Sequence, residues 1–83
     1  MFYVYLLQSE KDSNQIYYGQ TDDLKWRFSE HNAGNNASTK RYHPWKIIYY
    51  EAYTSRRTAL AREKQLKQYG QARTALKKRL NLI

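Results

Sequence analysis

Glu63 sits where a lone carboxylate is hardest to explain. It falls in a stretch of helical spacing whose apolar positions are Ala59, Leu60 and Leu66, and so lies within the stripe expected to face inward. A carboxylate there must be paired or bind a cation, because an isolated buried charge is costly. Two readings meet that demand. One is an ion pair with Arg27 or Arg62. The other is a metal ligand, since one carboxylate with waters and a substrate phosphate is a common way to hold Mg²⁺. Arg27 and His31, one helical turn apart, flank Leu24 and Phe28 in a similar way. An arginine so placed can brace a phosphate through its planar fork, and a histidine can move a proton near neutral pH. Simple packing, with a snorkelling arginine and a histidine bonded to backbone, is the other reading. Of nine tyrosines, Tyr3, Tyr5, Tyr17 and Tyr18 crowd the two N-terminal strands. Aromatic residues suit strands, yet a phenol beside a metal or an arginine can accept a proton from water. Composition does not select which tyrosine that is.

These side chains need elements to position them. Phe2 to Gln8 reads as a strand, with Tyr3, Tyr5 and Leu7 on one face and Phe2, Val4 and Leu6 on the other. The polar segment Ser9 to Gln15 leads to a second strand, Ile16 to Thr21, which suggests an antiparallel hairpin. A register placing Tyr5 opposite Tyr17 agrees with the alternation. Asp22 and Asp23 open a helix capped by Thr21 or Asp22, and Gly34 closes it. After the polar loop Asn35 to Pro44, Trp45 to Tyr53 reads as a third strand. Thr54-Ser55 caps a second helix, from about Arg56 to Tyr69, which Gly70 stops. A third helical segment follows from Gln71, where Ala72, Leu76, Leu80 and Ile83 trace an apolar stripe. The order β-β-α-β-α-α predicts an α/β (α+β) fold, a three-stranded, mostly antiparallel sheet flanked by helices. The 83 residues suffice for one small domain, 1–83, with no repeat or linker.

Charge points to the partner. The formal net charge is +8, and no acidic residue occurs between Lys64 and Ile83, where Lys64, Lys67, Arg73, Lys77, Lys78 and Arg79 fall. Such an excess suits a polyanion, most often nucleic acid, although a solvated face would also account for it. The absence of cysteine excludes disulfides and thiolate metal centres. The apolar N-terminus lacks the features of a signal peptide, and no run is long enough to span a membrane. A cytoplasmic location is expected.

The ordered set of motifs resembles the GIY-YIG nuclease superfamily. The Gly-Ile-Tyr element appears as Tyr3-Val4-Tyr5 and the Tyr-Ile-Gly element as Tyr17-Tyr18-Gly19. Thr21-x-x-Leu24-x-x-Arg27 is similar to the family's motif helix, and His31 to a residue several branches place one turn later. Glu63 occupies the place of the metal-binding glutamate, and Pro44 to Tyr50 is similar to a phrase of the small stand-alone bacterial members. The resemblance covers roughly Met1 to Gly70, leaving a basic segment from about 71 to 83. Tyr3 stands where the family has glycine and Tyr18 where it has isoleucine. Some members carry an asparagine after the glutamate; Asn81, the only one here, is not taken as its equivalent.

The resemblance implies a metal-dependent endonuclease that hydrolyses DNA phosphodiester bonds, in repair or recombination, with RNA left open. Glu63 would hold one Mg²⁺ or Mn²⁺. Tyr17 would act as general base or orient the water, with His31 the competing base. Tyr5 and His31 would assist by hydrogen bonding or proton relay, and Arg27 would stabilise charge on the phosphate. Lys25, Lys40, Arg41, Lys46, Arg62 and Lys67 would contact nucleic acid, together with the basic C-terminal segment. The alternative is a weak or inactive nucleic-acid-binding module of the same fold. A membrane-surface role for the last helix is disfavoured by its sparse stripe, which lacks Trp and Phe.

Overall fold

Alternating aromatic and branched residues make the first strand the centre of the sheet. The computed structural model describes residues Met1–Ile83, with β1 (Phe2–Ser9), β2 (Ile16–Thr21), α1 (Leu24–Asn32), a short 3-10 turn (Lys40–Tyr42), β3 (Trp45–Tyr53), α2 (Arg56–Gln68) and α3 (Gly70–Arg79). The strand order is β2-β1-β3, and both pairings are antiparallel. The sheet is therefore wholly antiparallel, in an α+β arrangement with β-β-α-β-α-α order.

Side-chain alternation gives the sheet two unlike faces. One packs Val4 and Leu6 against Ala59 and Leu66 of α2 and Leu76 of α3. The other packs Tyr5, Leu7 and Trp45 with Tyr17, Leu24, Phe28, Tyr42 and Ile47. Burying a Leu or Val completely stabilises by about 1.5–3 kcal/mol, so the aliphatic face anchors both long helices. An irregularity at Leu6/Leu7 lets Ile47 and Tyr49 flank an extra residue, Ile48, which joins the aliphatic cluster.

The register differs from the sequence expectation. Tyr5 pairs with Gly19 and Tyr17 pairs with Leu7. A slip of two residues keeps every side chain on its face, so alternation could not distinguish the two registers. The turn fixes the choice: buried Ser9 accepts through Oγ from the backbone N–H groups of Lys11 and Asp12, both at 3.0 Å, and donates to Tyr42 O at 2.6 Å.

Helix ends also differ in detail. The cap of α1 is Asp23, whose carboxylate accepts from the Trp26 N–H at 3.0 Å, while Thr21 Oγ1 accepts from the Asp23 N–H one turn earlier. Gly34 has φ +75°, as expected just beyond the helix end. Ser55 caps α2. Gly70 opens α3 rather than separating the helices, and Arg73 Nη1 donates to Leu66 O and Lys67 O at the end of α2. Leu60 is exposed, not inward; Ala59 and Leu66 carry the contact instead. Helix α3 stops before Ile83, which is exposed. Asn81 sits at φ 59°, its N–H donating to Lys78 O and that of Leu82 to Lys77 O. That pairing of bonds is a Schellman ending, so Asn81 terminates a helix. No helix is long and apolar enough to cross a membrane.

Candidate active site

The absence of a side chain at Gly19 creates the centre of the site. Gly19 lies opposite Tyr5, and a Cβ there would collide with the Tyr5 ring. The ring therefore crosses β2 over bare backbone and reaches α1, where Tyr5 Oη meets His31 Nε2 at 2.9 Å. His31 Nδ1 lies 2.8 Å from Thr39 Oγ1, which donates in turn to Asn36 O at 3.4 Å. That order assigns the protons: His31 Nδ1–H donates to Thr39, and Nε2 accepts from Tyr5. Tyr5, His31 and Thr39 are all essentially buried.

The surroundings tune both groups. Burial pushes the Tyr5 phenol up to about 12, helped by Tyr17 and Glu63 and opposed by the Arg27 guanidinium. Burial also pushes the His31 imidazole down to about 4, reinforced by Arg27 and opposed by Glu30. Near neutral pH the pair is a neutral phenol donating to a neutral imidazole. Tyr17 packs on the same imidazole, with ring centroids 4.7 Å apart, and stands 6.3 Å from Tyr5. Unlike Tyr5, Tyr17 remains partly exposed.

The acidic member comes from the opposite face. Because β2 is an edge strand, side chains from α2 can reach around it. Lys67 of α2 places Nζ 5.7 Å from the Tyr17 ring centroid and 3.5 Å from Glu63 Oε2. Glu63 thus lies beside the tyrosines, paired one turn along its own helix. It pairs with neither Arg27 nor Arg62. Arg62 points the other way, to β3, where its guanidinium donates to both oxygens of Glu51 at 3.0–3.2 Å. Tyr49 and Tyr53 donate to the same carboxylate.

Tyr5, Tyr17, His31 and Glu63 therefore lie near one another at the β2 edge, with Lys67 among them and the Arg27 guanidinium beside Tyr5 and His31. The other expected nucleic-acid contacts do not cluster. Lys25 is exposed on α1, Lys46 is exposed on β3, and Lys40 and Arg41 are exposed on the 3-10 turn, Arg41 stacking 5.3 Å from the Tyr42 ring centroid. Arg62 is occupied by Glu51. Two supports escaped sequence reading. Thr39 orients His31, and Asn32 ties α1 to β3 by donating from Nδ2 to Trp45 O at 2.9 Å. Both stand in or beside the polar loop, where their types look like ordinary solvent-facing residues.

The donor set decides which metal the site could hold. No three carboxylate, imidazole or thiol groups come together, so Glu63 would be the one protein carboxylate of the site. Its side chain is 22% exposed, open enough for waters and a phosphate to complete the shell. This fits Mg²⁺ or Mn²⁺, which keep several waters, better than a metal needing an all-protein cage.

The family model described as the GIY-YIG catalytic domain matches residues 1–81. A UPF0213 protein of Haloquadratum walsbyi is 37% identical over 68 residues, covering 81% of this chain and 74% of that protein. UPF0213 proteins of two Streptococcus pyogenes serotypes, M5 and M2, are 39% identical over 62 residues, covering 74% of this chain and 65% of theirs. The chain thus spans just under two thirds of these streptococcal relatives. No solved structure gives a significant match. With a family match across almost its whole length and the motif side chains gathered at one edge, this chain belongs to the GIY-YIG family.

Proposed function

We propose that the chain is a divalent-metal-dependent endonuclease that hydrolyses DNA phosphodiesters. The observation carrying this reading is the Tyr5–His31 hydrogen bond of 2.9 Å across Gly19, with Tyr17, Arg27 and Glu63 around it. Glu63 would hold the ion, which when bound supplies Lewis-acid polarisation of the phosphoryl group. Tyr17, the more exposed phenol and packed on the same imidazole, takes a proton from the attacking water or orients it, and the hydrogen-bonded pair of Tyr5 and His31 Nε2 assists by proton relay. The water oxygen forms the new P–O bond, the bond to the leaving oxygen breaks, and that oxygen regains a proton from solvent. Arg27 stabilises the charge that builds on the phosphate. Lys67 and the basic surface hold the flanking backbone, so affinity falls as salt rises. Cytoplasmic DNA repair or recombination is the setting we attach to this activity, from the substrate and the resemblance.

A second reading, a binding module without catalysis, is favoured by the Lys67 contact that already engages Glu63. Labelled duplex, single-stranded, flap and three-way-junction DNAs incubated with Mg²⁺ or Mn²⁺ separate the two. Cutting that needs metal and drops by about 10²-fold or more in Tyr5→Phe and His31→Ala supports the relay. Binding without any cutting would establish the module instead. Equal cutting by the variants would refute the relay.

A further inference from the structure

A second site adjoins the first on the same sheet face. Tyr50 of β3 pairs directly across from Tyr5, and its ring meets Tyr3 edge-on, with centroids 6.0 Å apart at 67°. Tyr50 is 56% exposed, so part of its aromatic surface has no protein partner. With Phe28 and Ile47 the two tyrosines line an open groove of about 500 Å³, within the range of small-ligand sites.

The groove's charge departs from that of the molecule. Asp22, Asp23 and Lys25 line its rim, a net of −1 on a chain of +8. Such a rim repels a phosphate but accepts N–H donors. Asp23 is already used as the α1 cap. Asp22 keeps acceptor capacity, its only ion pair being a loose, exposed one with Arg56 at 3.7 Å. An ionised carboxylate only accepts hydrogen bonds, so it suits the exocyclic amines of adenine, cytosine or guanine better than thymine, whose single N3–H is flanked by two carbonyl oxygens. Aromatic faces, an acceptor at the rim and a neighbouring phosphate-handling centre are the parts of a site for an unstacked base.

We propose that this groove takes an unstacked, amine-bearing base of the strand held at the active site, so that DNA with an unpaired nucleotide beside the cut is preferred over continuous duplex. This rests on the nuclease reading and names its substrate class. The two neighbouring sites divide the work. Lys67 and Arg27 take the backbone at the β2 edge, while Tyr3 and Tyr50 take the base one strand pair away.

The test is equilibrium binding of the full-length chain in EDTA, followed by fluorescence anisotropy. The probes are labelled duplexes with one unpaired adenine, one unpaired thymine, or an abasic residue at that point, and a fully paired control. The wild type is expected to bind the unpaired-adenine duplex about tenfold tighter than the abasic one, the scale of one base–aromatic stack. That ratio falls to about one in Tyr50→Ala and is retained in Tyr50→Trp, while Asp22→Asn erases the preference for adenine over thymine. Equal affinity of the wild type for adenine and abasic probes, with duplex binding intact, overturns the groove and leaves the nuclease reading standing. Retention of the tenfold ratio in Tyr50→Ala also overturns it. Failure to bind any of the DNAs overturns both. Tyr50-dependent binding of an arginine-rich peptide, without base discrimination, would assign the groove to a basic protein segment and overturn its assignment to a base.

Discussion

Glu51 and Glu63 are exposed to similar degrees, 14% and 22% of their side chains, yet they live in different circumstances. Glu51 accepts from Arg62, Tyr49 and Tyr53. Burial works to raise its pKa, but those hydrogen bonds outweigh it and hold the carboxyl below its usual value. Glu63 has one loose contact, with Lys67 on its own helix. Adjacent positions on α2 thus reach in opposite directions. Arg62 locks the helix to β3, and Glu63 is left beside the tyrosines at the β2 edge. A saturated carboxylate holds the fold, and an unsaturated one next to a tuned phenol is available for a ligand.

Substitutions should separate the two. The largest effect belongs to Glu63→Gln, which should lower metal-dependent cleavage by about a thousandfold, equivalent to several kcal/mol of lost charge stabilisation. Its melting temperature should stay within about 2 °C of wild type, because an i,i+4 surface pair contributes only about 0.3–0.5 kcal/mol. Glu51→Ala should act in reverse. Leaving Arg62 and two phenols without their acceptor should destabilise by about 3 kcal/mol, a fall of more than about 10 °C in a calorimetric scan. If both variants behaved alike, the contrast would be wrong.

Gly19→Ala should cost about 2 kcal/mol, since the added methyl displaces Tyr5. It should also break the Tyr5–His31 bond, visible as a shifted imidazole resonance. The pH dependence of stability then sharpens the contrast between groups. His31 titrates near 4 when folded and near 6.5 when unfolded. The unfolded chain therefore binds the extra proton between those values, and stability falls as pH drops from about 6.5 towards 4. His31→Gln should flatten that part of a melting-temperature curve. Glu51 adds its own loss as pH falls below its usual carboxylate range. The smallest effect is expected at Asn81→Gly, a few tenths of a kcal/mol with unchanged cleavage, because glycine tolerates φ 59° and the residue only ends α3.

Much of this was legible in the sequence, for physical reasons that also set the limits. Alternation assigned Tyr5 and Leu7 to one face and Val4 and Leu6 to the other, because a buried face demands it. It could not fix the register, since Tyr5 opposite Gly19 and Tyr5 opposite Tyr17 differ by two residues. Ser55 and Gly34 marked helix ends through local chemistry. Ion-pair partners were not readable, because they depend on how α2 rotates over the sheet. The ion-pair reading of Glu63 names Arg27 or Arg62 as partner, whereas Arg62 meets Glu51. Thr39 was hidden because its importance comes from a long-range contact with His31 and not from its neighbours in the chain. The aromatic pair Tyr3–Tyr50 was hidden for the same reason.

The most direct measurement is single-turnover cleavage of a labelled three-way junction with Mg²⁺ by wild type, Glu63→Gln and Glu51→Gln, each first checked by thermal melting. The expected result is that Glu63→Gln melts like wild type but does not cut, while Glu51→Gln melts earlier and still cuts below its transition. Cutting by Glu63→Gln at the wild-type rate would contradict the assignment of Glu63 as the site's carboxylate.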